Sequence, residues 1–401
     1  MKSELELAER PRPHTPPTSS GSEPIDGEHV RCDHGAPSSS MGSALVQRAR
    51  PAEAKPVVSV VITDFRRHDF VREAVLSVLS GDQVPGLVEI IVLKDFWNQT
   101  IDAFLSEHGV RTITKDFSTV GAMLAEGIEG AVGEVICFLD DDDRFGPEKI
   151  GKVAKLFDED PNLGMVRNAY EPIDVLGRPL PAWEERRPQP MDLLVIDASR
   201  NGGHLLPWIS RFNAYANLST YSIRRRLLLP WLSELRRITT AQDLFLAVVA
   251  NLSGCSQRIE PSRWSRYRVH QSTSHPTIDN GARQSEVQEL SREVVTAQLL
   301  LGALRGVRRD SLAYRLVRSF ELDARLTLFL LSPNERLGIR EWLTFSLLIG
   351  WRRRPYLLRE WLWCLPRWLF PSRASRIYES RRRRDLRGAI TPANQRERAL
   401  A

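Results

Sequence analysis

The stretch Gly133-Glu134-Val135-Ile136-Cys137-Phe138-Leu139-Asp140-Asp141-Asp142-Asp143 constrains this chain more than any other. A short apolar run of β character stops abruptly in four consecutive carboxylates. Strands buried on both faces read as continuous apolar runs, and open α/β sheets bind ligands beyond the carboxyl ends of their strands. Four adjacent anions repel one another, so a fold that gathers them at a strand tip needs a counter-charge. An all-oxygen donor set suits a hard divalent cation, which often holds substrate phosphates as well. Taken alone, the run reads equally as an acidic surface turn, and the flanking pattern has to decide.

That pattern alternates strands and helices. Val57 to Ile62 reads as a buried strand, followed by apolar residues at helical spacing from Asp69 to Ser80. Val88 to Leu93 is a second strand, and Asn98 caps a helix through His108 that stops at Gly109. Val110 to Thr114 is a short third strand, Thr119 to Val132 a third helix, and the 134–139 strand with its acidic tip comes next. Pro147 opens a helix to Phe157. Strands alternating with helices of this length predict a parallel, doubly wound sheet. Further on, Gly164 to Tyr170, Asn217 to Ile223 and Arg263 to Val269 read as strands, and Thr239 to Leu252 as a helix with Gln242-Asp243 in its first turn.

From Arg283 onward the pattern is helical: Ser285 to Leu304, Ser311 to Leu331, then a Trp-, Leu- and Arg-rich region over 341–370. The longest apolar run there, Trp342 to Trp351, is about ten residues, whereas a spanning helix needs roughly 20. Arg beside Trp and Leu fits a helix lying in a membrane interface; the alternative is a helical subdomain with a Trp-rich core. The organisation expected is therefore a disordered extension over 1–54, an α/β domain over 55–280, a helical, membrane-interfacial region over 281–370 and a loose basic tail over 371–401.

Charge and cysteine usage narrow the classes. The net charge of +6 hides an asymmetry, since no lysine follows Lys155 and arginine crowds the last hundred residues. A cationic tail implies an anionic partner: membrane surface, nucleic acid or phosphorylated substrate. Trp and Leu interleaved with the arginines favour the membrane. Four cysteines without a CxxC pair suggest neither a zinc site nor a disulfide framework, and fit reduced thiols in a cytosolic setting. Met1 to Glu6 has no apolar core, so no secretory signal is expected, and Met41 is an alternative start.

These segments, in this order, resemble a family 2 glycosyltransferase of the GT-A type. The opening signature is matched by Ser59-Val60-Val61-Ile62-Thr63-Asp64-Phe65-Arg66-Arg67 and the helix after it, and the carboxylate after the second strand by Asp95. Gly127 to Asp143 is similar to the approach to the family's DxD motif. Gln242-Asp243 stands where the family keeps a catalytic acid, and Tyr267-Arg268-Val269-His270 with Thr273-Ser274 is similar to an element near the donor diphosphate. Lys94-Asp95-Phe96-Trp97 and Met123-Leu124-Ala125-Glu126 depart from the common pattern, so nucleotide identity is not inherited.

The resemblance, spanning roughly residues 56–275, implies a GT-A, Rossmann-like, mostly parallel sheet with flanking helices. It also implies sugar transfer with inversion from a nucleoside-diphosphate donor to an acceptor hydroxyl of a glycan or lipid-linked chain, at the cytoplasmic membrane face. Asp142 and Asp140 are expected to hold Mn²⁺ or Mg²⁺, with Asp140 and Asp141 also contacting ribose or sugar, and Asp143 shaping the turn. Asp243 is the expected general base; the alternative is a helix N-terminal acid favoured by the macrodipole. Thr63, Phe65, Arg67 and Asp95 are expected to hold the nucleotide, though Phe65 fits the core as well. Arg268 and His270 are expected at the diphosphate or metal. A nucleotidyltransferase on the same scaffold is disfavoured because no Gly-rich segment follows the first strand. A non-catalytic protein with an anion-binding tail is the other alternative.

Overall fold

The computed structural model describes residues 58–65, 69–82, 88–181, 189–197, 202–212, 214–270, 282–332, 334–348 and 355–381. The expected extension over 1–54, Met41, Arg67, Thr273, Ser274 and Trp351 lie outside the described residues.

Among the described residues nine strands form one mixed sheet in the order β3-β2-β1-β4-β8-β6-β9-β5, with β7 added on β9. Strands β1 (Val58–Asp64), β2 (Val88–Lys94), β3 (Arg111–Thr114) and β4 (Val135–Asp140) run parallel. The other half is mixed. β8 (Tyr221–Arg224) is antiparallel to both β4 and β6 (Leu163–Ile173), β9 (Ser256–Arg268) is parallel to β6, and β5 (Arg144–Phe145) is antiparallel to β9. β7 (Leu194–Ile196) is antiparallel to β9.

Alternation along β1 explains why the sheet needs cover on both faces. Val58, Val60 and Ile62 join one core and Val61 the other, because successive side chains in a strand point to opposite sides. The first core is closed by α1 (Val71–Leu79), α2 (Gln99–Glu107) and α4 (Lys149–Glu159). The second takes α3 (Val120–Gly130), α5 (Leu206–Arg211), α6 (Gln242–Leu252), α7 (Ala282–Ala303) and the first half of α8 (Leu312–Leu331).

Local chemistry sets the ends of these elements. Asn98 Oδ1 accepts from the Thr100 and Ile101 N–H groups at the start of α2, and Thr119 Oγ1 from Ala122 at the start of α3. Ser311 does the same for α8 through Tyr314. Gly109 supplies the left-handed φ of 66° that turns the chain out of α2. At Gly121 a Cβ would lie 2.2 Å from the Leu235 carbonyl, so only glycine lets α3 sit against that loop.

Packing does not divide at residue 280: Ala297, Leu300, Leu304, Leu312 and Val317 belong to the α/β core. A separate cluster begins at Leu322 and gathers Phe329, Leu337, Cys364 and Tyr378, flanked by Trp342, Trp361, Trp363 and Trp368 of α9 (Ile339–Leu348) and α10 (Pro355–Leu369). Residues 371–381 are helical rather than loose, with Tyr378 packed edge-on against Trp363. No helix among the described residues is long and apolar enough to cross a membrane.

Candidate active site

The chain leaves β1 outward through β2 to β3 and returns to β4 on the other side of β1, which makes the carboxyl ends of β1 and β4 the topological switch point. Register places Thr63 beside Asp140 there, and Thr63 Oγ1 lies 3.4 Å from Asp140 Oδ1. The acidic run then folds into a tight turn. Asp141 N–H donates to the Thr63 carbonyl (3.2 Å) and Asp143 N–H to the Asp140 carbonyl (3.1 Å).

This turn separates the four acids. One carboxylate oxygen from each of Asp140, Asp142 and Asp143 lies within 4.8 Å of the others. Asp141 is 3 % exposed and stands outside that trio. Asp143, expected only to shape the turn, is thus part of the cluster. Its Oδ1 accepts from Arg268 N–H (2.8 Å), while its buried Oδ2 has no hydrogen-bond partner. Burial first, then the neighbouring Asp142 and Asp140 charges, hold its carboxyl well above the ordinary range. Three converging oxygens with an orphaned buried acceptor fit a divalent cation, which is hard and oxygen-seeking.

Cations support the turn from behind. Arg268 is fully buried at the end of β9. Its Nε donates to the Asp142 carbonyl (2.7 Å), one Nη to Val175 (2.7 Å) and the other to Glu73 Oε2 (2.6 Å). The guanidinium expected at a diphosphate is therefore engaged by protein groups. Arg144 also pairs with Glu73. Lys149 is buried beneath the turn, donating to the Ser219 carbonyl (2.6 Å) and Ser265 Oγ (3.0 Å); burial brings its pKa down to about 7. His270 reaches the front of the turn, with Nε2 2.8 Å from Asp142 Oδ2.

Asp243 lies in the first turn of α6, where the backbone N–H groups point outward and favour a carboxylate. Its Oδ2 accepts from Asn217 N–H (3.0 Å) and its Oδ1 from Leu244 N–H (2.8 Å). Burial nevertheless pushes its carboxyl above the ordinary range, against those N–H groups and the Arg167 charge. Among the described residues the two non-glycine positions with positive φ are Asn217 (75°) and Ala241 (57°), both beside Asp243. Backbone strain of order 1–3 kcal/mol concentrates at functional sites.

One short segment ties the two acidic centres together. Asn217 N–H grips Asp243, Asn217 Oδ1 accepts from Ser219 N–H (2.9 Å), and Ser219 Oγ accepts from Asp140 N–H (3.0 Å). Three hydrogen bonds therefore run from Asp243 to the tip of β4. Sequence reasoning placed a strand over Asn217 to Ile223; the chain instead makes a 3₁₀ turn at Leu218–Thr220 before β8. Asn217, Ser219, Lys149 and Arg167 were not singled out. The usable signal was a lone cation on an apolar pattern: Lys149 at the core-facing stripe of α4, and Arg167 inside Gly164 to Tyr170.

The remaining expected contacts lie along the same edge. Thr63 is buried and Phe65, partly buried, packs on the core that holds α3. Asp95 follows β2, while the preceding Lys94 turns inward to the Phe96 carbonyl and Asp102.

An acid cluster at the switch point of a half-parallel sheet, next to a second carboxylate at a helix start, is the layout of a GT-A-like glycosyltransferase. Residues 59–215 match the family described as Glycosyl transferase family 2. Asp243, Arg268 and His270 lie beyond the matched stretch. Among solved structures the chain is similar to residues 1-349 of S. aureus TarS, at 14% identity and a TM-score of 0.47 over 74% of this chain and 82% of that one. The same fragment in complex with UDP-GlcNAc gives 14% and 0.43 over 76% and 86%, and a further TarS structure gives 15% and 0.43 over 76% and 52%.

Proposed function

We propose that this glycosyltransferase moves a sugar from a nucleoside-diphosphate donor to an acceptor hydroxyl in a single displacement with inversion. The observation that supports the reading is the Asn217–Ser219 bridge, a run of three hydrogen bonds between Asp243 and the Asp140 backbone N–H. Asp140, Asp142 and Asp143 would hold Mn²⁺ or Mg²⁺, and such an ion would supply Lewis-acid stabilisation of a departing diphosphate. Thr63, Phe65 and Asp95, with Arg67, take the nucleotide, and Asp141 supports the same loop. Arg268 holds the turn by its Asp142 carbonyl, and His270 orients the Asp142 carboxylate. Asp243 accepts the proton of the acceptor hydroxyl. Its raised pKa suits that task, because a base is most useful when its pKa lies near the working pH.

The acceptor is a glycan or lipid-linked hydroxyl at the cytoplasmic membrane face. Support for the membrane reading comes from exposed apolar residues rather than from tryptophan. Leu362, Leu365 and Leu369 share one face of α10 and are 47%, 44% and 73% exposed; Phe370 follows at 60%, and exposed Arg373 and Arg376 come next. Apolar side chains beside arginine suit an anionic lipid interface. Trp342 and Trp361 are instead stacked on each other, 3.9 Å apart.

A thermal-shift screen of UDP-, GDP- and dTDP-sugars with Mn²⁺ or Mg²⁺ identifies the donor. With that donor, Asp243→Asn should abolish transfer while calorimetry still records donor binding. Lost binding, or retained transfer, would remove Asp243 as the base. NMR of the first-formed product should show the anomer opposite to the donor's.

A further inference from the structure

Arg167 sits on β6 at 0% exposure, between Val166 and the equally buried Asn168. Its Nη2 donates to the Ala216 carbonyl (3.3 Å), with Gln189 Oε1 at 3.5 Å, and its Nε and Nη1 have no hydrogen-bond partner. A buried guanidinium is costly unless it is paired or compensates a charge. The Ala216 carbonyl and the Asn217 N–H belong to one peptide unit, and that N–H grips Asp243 Oδ2 at 3.0 Å. Arg167 and Asp243 therefore hold opposite ends of the same planar peptide. Hydrogen bonds in series polarise one another, more so at low dielectric. A cation on the carbonyl makes the N–H a stronger donor to the carboxylate. Asn217 itself takes a φ of 75° at the start of the 3₁₀ turn.

We propose that Arg167 is a positioning residue for Asp243, holding the Ala216–Asn217 peptide so that its N–H fixes the carboxylate, and supplying that carboxylate's counter-charge. The proposal rests on the reading of Asp243 as the base. Other titratable groups facing this pair are the Tyr221 phenol, which donates to the Tyr215 carbonyl (2.7 Å), and Tyr170 beside Arg167. Glu289 of α7, paired with Arg292, reaches Thr240 just before α6. Arg167 is the cation that meets the peptide directly. The direction agrees: its charge pulls the Asp243 carboxyl down, against burial.

The test is a ¹³C NMR titration of full-length protein labelled at aspartate Cγ, with the Asp243 resonance assigned by its absence in Asp243→Asn. In Arg167→Met the Asp243 midpoint should rise, because a charge that lowers it is lost and the Asn217 N–H is less firmly held. Arg167→Lys should bring it back toward wild type. In the unmodified protein the Asn217 amide and Arg167 side-chain protons should shift with the Asp243 midpoint, which keeps the test available if Arg167→Met does not fold. An unmoved midpoint in Arg167→Met, or Arg167 and Asn217 signals flat through the Asp243 titration, overturns the proposal. The titration needs no substrate. If Arg167→Met moves the midpoint while Asp243→Asn keeps transferring sugar, the base reading fails and the coupling stands.

Discussion

Two buried arginines, one in each half of the molecule, do related work with different consequences. Arg268 donates to the Asp142 and Val175 carbonyls under the acidic turn and pairs with Glu73. Arg367 of α10 donates to the Phe329 and Ser332 carbonyls, both 3.0 Å away, at the carboxyl end of α8. Each gathers backbone carbonyls, and each lies over an aromatic ring, Phe70 and Phe329 respectively. The difference is what lies on the far side. Beyond Arg268 stand three converging carboxylates; beyond Arg367 stands an apolar cluster. An arginine-rich sequence therefore does not by itself announce an anion site, and the partner across the guanidinium decides.

The comparison breaks most visibly at the acidic turn. Replacing Asp142 with Ala removes one of the three converging oxygens and the partner of His270. Charge stabilisation worth several kcal/mol should be lost, a fall of roughly 10³-fold in metal-dependent turnover. Product release followed against Mn²⁺ concentration measures it, and undiminished turnover would remove the cluster from the chemistry.

A smaller effect is expected in the pH profile. On the proposed role as base, Asp243 acts deprotonated; with its carboxyl held above the ordinary range by burial, activity should fall as pH drops through a midpoint above that range. Raising the pH through that midpoint restores the base form. A kcat profile flat down to the usual carboxylate range contradicts this. Smaller again, Leu369→Glu with Phe370→Ser should reduce co-sedimentation with anionic vesicles several-fold at fixed salt and leave donor hydrolysis in solution unchanged, since each exposed apolar side chain contributes about 1.5–3 kcal/mol when buried. Equal sedimentation of the variant would remove this face from membrane binding.

Much of the parallel half was legible because its physics is local. Caps at Asn98 and Thr119, the alternation in β1 and the apolar run into Asp140 each carry their own signal. Asp243 was legible as an acid opening a helix. The bridge was not, because Asn217 and Ser219 meet Asp243 and Asp140 only once β8 pairs antiparallel with β4, and no spacing along the chain encodes that contact. The carbonyls that Arg268 meets have no sequence signature, so its grip on the Asp142 and Val175 backbone is not readable from the chain. The tryptophans were read as interfacial by composition, whereas packing pairs Trp342 Nε1–H with the Trp361 carbonyl and Trp361 Nε1–H with the Trp342 carbonyl.

The smallest effect sharpens the comparison from the other side. Arg367→Leu keeps much of the side-chain volume and removes both donors from the end of α8. The Phe329 carbonyl then loses its side-chain partner, while Ser332 keeps the Glu335 N–H, and leaving a buried polar group unsatisfied costs about 1–3 kcal/mol. Leucine offsets part of that by packing beside Trp368 and Phe329, whose ring centroids are 5.9 Å apart. Urea unfolding should show a lower midpoint, while donor affinity and turnover stay unchanged because the α/β core does not include this cluster. The equivalent Arg268→Leu should instead lose donor-dependent activity along with stability, since the carbonyl it releases is that of Asp142. If both substitutions cost stability alone, the contrast between the two arginines is empty, and the acidic turn holds its shape without help from behind.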